Sequence, residues 1–318
     1  MTRFKRGACM IQYDNRQGFK LLFALRGSIT RSVAPQVALC TLLACLVVGL
    51  STKYIKITVS PTPWVIVGGA LGLLLVFRTN TAYDRYWEGR KLFGGLTSAT
   101  RSLATTFLSS FHDNGNNHLE MKIKFIHLLI AFPKLAKQAL RDERNIPELD
   151  ELLYYLTEKE KEELILSENP SLTLMLILKG VLYDCVQHGY ITDFQVVSME
   201  EKLDSMLISL GGCERIRKTP IPFAYVVHLK GLLGVFCTTL PLGLIEGMGW
   251  ASVFATLFVS FAFLGIEEIG VEIEDPFGED PNDLPLDDIC NGIERNLLYV
   301  LEQANRLASE VEETIKAI

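Results

Sequence analysis

Hydrophobic positions along this chain gather into four long runs. Val33–Leu50 has 18 residues without a charge, and Trp64–Phe77 is shorter, opened by Pro61 and Pro63 and closed by Arg78. Phe223–Ile245 is long but contains His228 and Lys230, and Trp250–Ile266 is again free of charge. A bilayer core of about 30 Å needs roughly 20 helical residues, so the first and last runs span with help from their flanks. The second covers only about 21 Å at about 1.5 Å per residue. It must therefore extend through Arg78 or lie in a locally buried environment. The pattern predicts membrane helices at about 33–50, 62–79, 222–245 and 249–266.

The middle of the chain follows a different pattern. Met121, Ile123, Phe125, Ile126, Leu128, Leu129 and Phe132 form an apolar helical run that ends at Pro133. Charged stretches follow at Arg141–Arg144 and Glu158–Glu163, and the run Leu172–Leu182 is too short to span. Ser167 and Asn169 before Pro170 mark one helix start, and Asp193 marks another whose helix reaches Leu210, with Gly211 and Gly212 as a stop. There is no strand-like alternation long enough to mark a strand and no internal repeat. The expected fold is all-α: one domain over residues 1–318, with four transmembrane helices continued by a helical cytosolic body at about 80–221 and 267–318.

Composition agrees with a chain divided between bilayer and water. It is 49% hydrophobic and 21% charged over 318 residues, with a mean hydropathy of +0.24. Disorder is excluded by the apolar content, and seven cysteines are too sparse for a disulfide-stapled secreted domain. The net charge of −6 conceals an asymmetry. Residues 1–31 carry Arg3, Lys5, Arg6, Arg16, Lys20, Arg26 and Arg31 against Asp14 alone, whereas Glu267–Asp288 holds ten carboxylates and no base. This distribution argues against a nucleic-acid partner. Positive residues before the first span, after the second (Arg78, Arg85, Arg90, Lys91, Arg101) and before the third (Arg215, Arg217, Lys218) put both termini in the cytoplasm.

Candidate chemistry is thin. There is no CxxC, GxSxG, P-loop or strand-linked GxGxxG, and the five histidines lack metal-ligand spacing, so nothing points to an enzyme. His228 and Lys230 either form an intramembrane functional site or lie near the cytoplasmic end and snorkel. Gly68 and Gly72, with Gly69 beside them, serve close helix packing or line a constriction. The acidic run could be a solvated tail. Against that, Phe277, Leu284, Leu286 and Ile289 punctuate it with anchors, and Asp280 and Asp283 follow Gly278 at a spacing where two carboxylates can converge on a hard cation.

Two segments together are specific. Phe77-Arg78-Thr79-Asn80-Thr81-Ala82-Tyr83-Asp84-Arg85-Tyr86-Trp87-Glu88-Gly89-Arg90-Lys91 follows the second span, and Glu272-Ile273-Glu274-Asp275-Pro276-Phe277-Gly278-Glu279-Asp280-Pro281-Asn282-Asp283-Leu284-Pro285 follows the fourth. With Arg26-Gly27-Ser28 before the first span, they resemble the bestrophin family, particularly its bacterial and plant chloroplast branch. The motif residues are Arg78, Asn80, Asp84, Arg85, Glu88, Pro276, Phe277 and Gly278.

The resemblance implies a homopentameric ion channel with five subunits around one central pore. Its location would be a bacterial inner membrane, or a thylakoid membrane in a photosynthetic organism. Animal members are calcium-activated chloride channels, the plant branch includes thylakoid anion channels, and some bacterial members are cation-selective. On family grounds the permeant species is chloride or a similar monovalent anion, with a monovalent-cation channel as the alternative. A membrane-anchored helical scaffold without conductance is the competing class. Counting back from Arg78, the family's neck falls on Thr62, Ile66 and Ala70, whose i, i+4, i+8 spacing shares one helical face. The family places bulky side chains there. Here Thr62 and Ala70 are small, so the neck is wider, or the helix is rotated so that Gly69 and Leu73 contribute. A second constriction falls within Phe194–Val197. No cofactor is required by the resemblance, but a calcium clasp would take side-chain ligands from Asp280 and Asp283, backbone oxygens of Glu272 and Asp275, and an N-terminal carbonyl.

Overall fold

The computed structural model describes residues 27–54, 56–112 and 118–316, so the basic arm ahead of Gly27, including Arg26 and Cys9, lies outside the described residues. Nine α-helices occur among them. They are α1 (Thr30–Lys53), α2 (Thr62–Ser110), α3 (His118–Leu140), α4 (Glu158–Leu166), α5 (Pro170–Gln187), α6 (Asp193–Lys218), α7 (Phe223–Met248), α8 (Ala251–Glu274) and α9 (Leu286–Lys316). No strand is present among the described residues. Four helices, α1, α2, α7 and α8, are long and apolar enough to cross a membrane.

The short second run is explained by α2. Pro61 and Pro63 supply the fixed φ suited to a first turn, and the helix then continues without a break for 49 residues, about 74 Å at about 1.5 Å each. The first of the two alternatives holds: the helix runs through Arg78, which is itself buried at 1% exposure, whereas within Trp64–Phe77 only Leu71 and Leu75 are buried. One half of α2 packs among α1, α7 and α8, where Val33, Val37, Leu71, Leu75, Leu229, Leu233, Phe236 and Leu264 form a core. Trp64 Nε1 donates to Thr239 Oγ1 at 3.1 Å, and the Tyr225 hydroxyl donates to the Leu74 carbonyl at 3.0 Å, tying α2 to α7.

The other half of α2 enters a separate helical body built on α3, α5, α6 and α9. Phe93, Leu96, Leu103 and Phe107 of α2 meet Phe125, Leu128 and Phe132 of α3 in its core. The Phe107 and Phe125 rings stack with centroids 4.1 Å apart. Two sequence boundaries need correction. Helix α3 does not end at Pro133 but passes through it to Leu140. Helix α6 does not stop at Gly211–Gly212 but runs on to Lys218. At Gly212 a Cβ would lie 2.8 Å from Leu92 Cδ1, so this glycine permits close approach of α2 and α6. The Asn169 side chain does accept from Leu172 N at 3.1 Å, as a helix cap should. At α6, by contrast, the residue that begins the helix is preceded by Thr192, whose N–H donates to Gln195 Oε1 at 2.8 Å.

The last helix is locked onto α3 by Asp287, which accepts from Lys137 Nζ at 2.7 Å and Arg141 Nη1 at 2.8 Å. Burial pushes the Asp287 carboxyl up, but these two cations outweigh it and hold it below the ordinary carboxylate range. Its stabilising contribution is therefore present above the unfolded-state pKa and fades as pH falls through the folded value. Asp287→Asn should destabilise the protein by about 2 kcal/mol. That is less than a fully buried pair would cost, because the Asp287 side chain is 35% exposed. A detergent-solubilised melt should show the loss at pH 7 and still at pH 5, with the difference from wild type shrinking only below about pH 3.8, the ordinary aspartate value, as Asp287 becomes protonated.

Candidate pore helix and acidic loop

Where the four membrane-length helices meet the helical body, charged groups converge. Arg78 Nη2 donates to Glu274 Oε2 at 2.6 Å. The other oxygen, Glu274 Oε1, accepts from Ile221 N at 3.0 Å, immediately ahead of α7. The Glu274 carbonyl accepts from Arg85 Nε at 3.1 Å, and the same guanidinium reaches the Thr219 carbonyl at 2.5 Å and the Ile216 carbonyl at 2.6 Å at the end of α6. Gly270 makes room, since a Cβ there would sit 3.4 Å from Arg78 Cγ. Arg85 thus satisfies helix-end carbonyls rather than pairing with Asp84. Glu88 pairs with Arg215 of α6 at 2.8 Å, not with an arginine of its own helix.

The acidic loop is packed rather than a free tail. Phe277 is fully buried in the cytosolic core with Leu284 and Leu286. It lies over Gly89, where a Cβ would be 3.0 Å from both Phe277 Cζ and Pro276 Cγ. At Gly278 a Cβ would meet Asp283 Oδ2 at 2.6 Å, which leaves no room for any side chain. Asp283 Oδ2 accepts from Asp280 N at 2.7 Å, Asp283 N donates to the Asp280 carbonyl at 3.0 Å, and Leu284 N to the Pro276 carbonyl at 2.9 Å. Burial, with the neighbouring acids, pushes the Asp283 carboxyl up to about 7, and its Oδ1 has no hydrogen-bond partner among the described residues.

These carboxylates do not fit a calcium ion as the loop stands. Among the described residues no three carboxylate, histidine or cysteine side chains converge on one point. The position between the N-terminal segment and the acids is filled by a donor: Asn282 Nδ2 gives hydrogen bonds to the Gly27 carbonyl at 3.1 Å and to Glu272 Oε1 at 3.0 Å. A primary amide with two N–H groups there joins two oxygens that a hard cation would otherwise hold. Of the expected side-chain ligands, Asp280 and Asp283 are joined through a backbone N–H. At Glu272 and Asp275, expected to offer backbone oxygens, the carboxylates take Asn282 Nδ2 and, at 3.4 Å, Phe277 N.

Helix α2 is covered on one face only. Leu71, Leu75, Arg78, Ala82, Gly89 and Phe93 are buried, while Thr62, Ile66, Gly69, Ala70, Leu73, Phe77, Asn80 and Asp84 are exposed on the protomer. Ile66 is 67% and Leu73 58% exposed. The uncovered stripe therefore contains both the Thr62–Ile66–Ala70 set and the Gly69–Leu73 alternative. Gly68 faces Phe236, 3.3 Å from a built Cβ, and so serves packing; Gly69 and Gly72 look onto open space. Phe194 and Val197 lie on an uncovered face of α6, at 91% and 58% exposure. Lys230 lies 3.4 Å from Glu267 at the cytosol-proximal end of α7, whereas His228 is exposed. The buried cysteines are inert, because burial pushes the Cys185 and Cys213 thiols up to about 12.

A helix with one uncovered stripe thus runs from the apolar bundle into the helical body, next to a closed Pro-Phe-Gly loop. Residues 10–299 match the family described as Bacterial/Fungal Bestrophin protein. The chain is a bestrophin. A voltage-dependent anion channel-forming protein of Nostoc is 40% identical over 279 residues, covering 88% of this chain and 90% of that one. The corresponding protein of Escherichia coli K12 is 32% identical over 297 residues, covering 93% and 95%. Among solved structures, a bacterial bestrophin homolog from Klebsiella pneumoniae superposes with a TM-score of 0.79 at 30% identity, covering 85% of this chain and 98% of that one.

In this bestrophin the missed residues are those that act across long sequence distances. Arg85 and Glu274 gain meaning only from partners more than fifty residues away, and Asn282 from Gly27 as well as the nearby Glu272, although each sits in a motif segment. Gly89→Val should displace the Pro276–Phe277 turn and destabilise the fold by about 1–3 kcal/mol through overpacking. Hydrogen exchange should quicken across residues 275–284 before other buried segments of the cytosolic body.

Proposed function

We propose that this bestrophin is an anion channel, assembled as a homopentamer around a central axis and conducting monovalent anions such as chloride. The observation that carries this reading is the uncovered stripe of α2, continuous from Ile66 in the membrane half to Trp87 in the cytosolic half. Curved around an axis, five such stripes form a conduit whose membrane portion is apolar, a constriction able to gate by dewetting. Thr62, Ile66 and Ala70 then form the neck, with Ile66 as its bulky ring. Phe194 and Val197 form a second narrowing in the cytosolic body.

The charges favour anions over cations. Four of the ten acids of the run after the fourth span are committed to partners inside the protomer. Glu267 faces Lys230, Glu274 holds Arg78, Asp287 holds Lys137 and Arg141, and Glu272 takes Asn282. They contribute little to a pore field. On the exposed face of α2, by contrast, Arg90, Lys91 and Arg101 follow the apolar portion, and clustered positive charge raises local anion concentration. The relatives named as voltage-dependent anion channel-forming proteins support the same choice. The basic flanks place both termini in the cytoplasm, in the inner membrane of a bacterium or, in a photosynthetic organism, the thylakoid. Residues 1–318 form one channel domain.

Two outcomes test this reading. Purified protein in planar bilayers should carry current whose reversal potential under asymmetric KCl follows chloride, and Ile66→Ala should raise conductance several-fold or shift the permeability ratio. Potassium-following reversal would sink anion selectivity, and unchanged conductance and selectivity in the variant would remove Ile66 from the neck. The Asn282 bridge implies that calcium is not required for closure of the acidic loop. The wild-type melt should be the same in calcium and in chelator, and Asn282→Asp, which replaces a donor by an acceptor, should acquire a calcium-dependent rise in Tm.

A further inference from the structure

On the outer side of the membrane bundle, between α1 and α8, lies an open apolar groove of about 520 Å³ lined by Thr30, Ala34, Ala38, Leu42, Leu257 and Phe261, among others. Ala34 and Ala38 are small, and form a floor between the larger Leu42 and Phe261. Its volume is within the range of about 300–1,000 Å³ typical of ligand sites. From Thr30 to Thr41 it extends eleven residues along α1, about 17 Å, close to half of a hydrocarbon core of about 30 Å. A groove of this depth, opening at one end of a spanning helix, has the length of one leaflet.

Its mouth carries a charge. Arg31, Ala34, Ala38 and Leu42 stand at i, i+3, i+7 and i+11 on α1, which places Arg31 above the groove on the same helical face. Arg31 is exposed and makes no ion pair or hydrogen bond with a described residue. The acid at that end of the facing helix, Glu268, accepts a hydrogen bond from the Ser32 hydroxyl. An uncommitted guanidinium over an apolar slot is complementary to a molecule with an anionic head and an alkyl tail. Guanidinium groups bind phosphate through paired N–H donors, and basic pockets between membrane helices at the cytoplasmic side take anionic headgroups.

We propose that the α1–α8 groove binds one anionic phospholipid of the cytoplasmic leaflet per protomer, with its phosphate on Arg31 and an acyl chain along Ala34, Ala38 and Leu42. This rests on the membrane placement argued above but not on conductance. The test is native mass spectrometry of the full chain, delipidated in detergent and titrated with phosphatidylglycerol or phosphatidylcholine. Wild type should retain one phosphatidylglycerol per protomer with roughly fivefold preference over phosphatidylcholine, the weight of one basic residue at an anionic surface. Arg31→Gln, a surface change, should abolish that preference while leaving both lipids weakly bound. Ala38→Trp, which fills the groove, should lower retention of both. Equal retention of the two lipids by wild type, or undiminished retention by Ala38→Trp with an unchanged melt, would overturn the site. So would crosslinking of Leu42→Cys to a second copy of the chain, which would make the groove a subunit contact. Because binding is read directly, a non-conducting preparation that shows the preference still supports the lipid site and counts only against the channel reading.

Discussion

The structure depends on how one arginine is buried at the junction between bilayer and cytosol. Arg78 has lost nearly all contact with water, and a guanidinium desolvated in this way costs several kcal/mol unless charge and hydrogen bonds compensate. Glu274 supplies the opposing charge at Nη2, leaving Arg78 Nε and Nη1 without a partner among the described residues, and it also joins two helix ends. Its two oxygens take Arg78 and the N–H of Ile221, and its carbonyl takes Arg85. The end of α8, the start of α7 and the middle of α2 therefore meet on one carboxylate. Shortening α2 at Arg78 would leave that charge without a partner. The 49-residue helix is thus required by the junction, and a rigid rod then joins the membrane bundle to the cytosolic core.

The same rod divides the molecule's surface. Leu71, Leu75, Ala82 and Phe93 face inward, so residues offset by about half a turn face outward over the whole length. The acidic loop then docks on the inward side, where Gly89 lets Phe277 and Pro276 approach closely and a Cβ would press on both. Helix, loop and N-terminal segment are closed on one another by neutral groups as well as ions, as the Asn282 amide between Gly27 and Glu272 illustrates. Charge that looks unbalanced along the chain is largely balanced in three dimensions.

Much of this was legible in residue order. Four spans follow from apolar runs, the helical character of the body follows from 3.6-residue periodicity, and the packed state of the acidic loop follows from Phe277, Leu284 and Leu286 set among carboxylates. Other features were hidden for physical reasons. Consecutive glycines at 211–212 lower helix propensity by about 1 kcal/mol each, which reads as a stop; only the approach of Leu92 shows that the helix tolerates them to let α2 come close. Pro133 reads as an end because it removes one donor, but the surrounding core of Phe125, Leu129 and Leu135 holds α3 together across it. The partners of Arg85 and Glu88 are more than a hundred residues away, beyond any local pattern. Likewise, i, i+4 spacing identifies a shared face at Thr62, Ile66 and Ala70 but not which way that face points.

The direction of that face bears on assembly more strongly than its composition does. In the membrane half, exposed Ile66, Leu73 and Phe77 could rest against lipid tails as comfortably as against a neighbour, so they decide nothing alone. Below the junction the surroundings are aqueous, and there the stripe continues with Tyr83 at 56% and Trp87 at 50% exposure, while α6 presents Phe194 at 91% and Ile208 at 74%. Large apolar side chains gathered on water-facing helices of a folded body are the mark of a protein contact or a solvent-restricting passage. Lipid cannot cover them. Because α2 is unbroken through Arg78, its lower stripe and its upper one belong to a single element, and whatever covers the helix at Trp87 bears on what can lie beside Ile66.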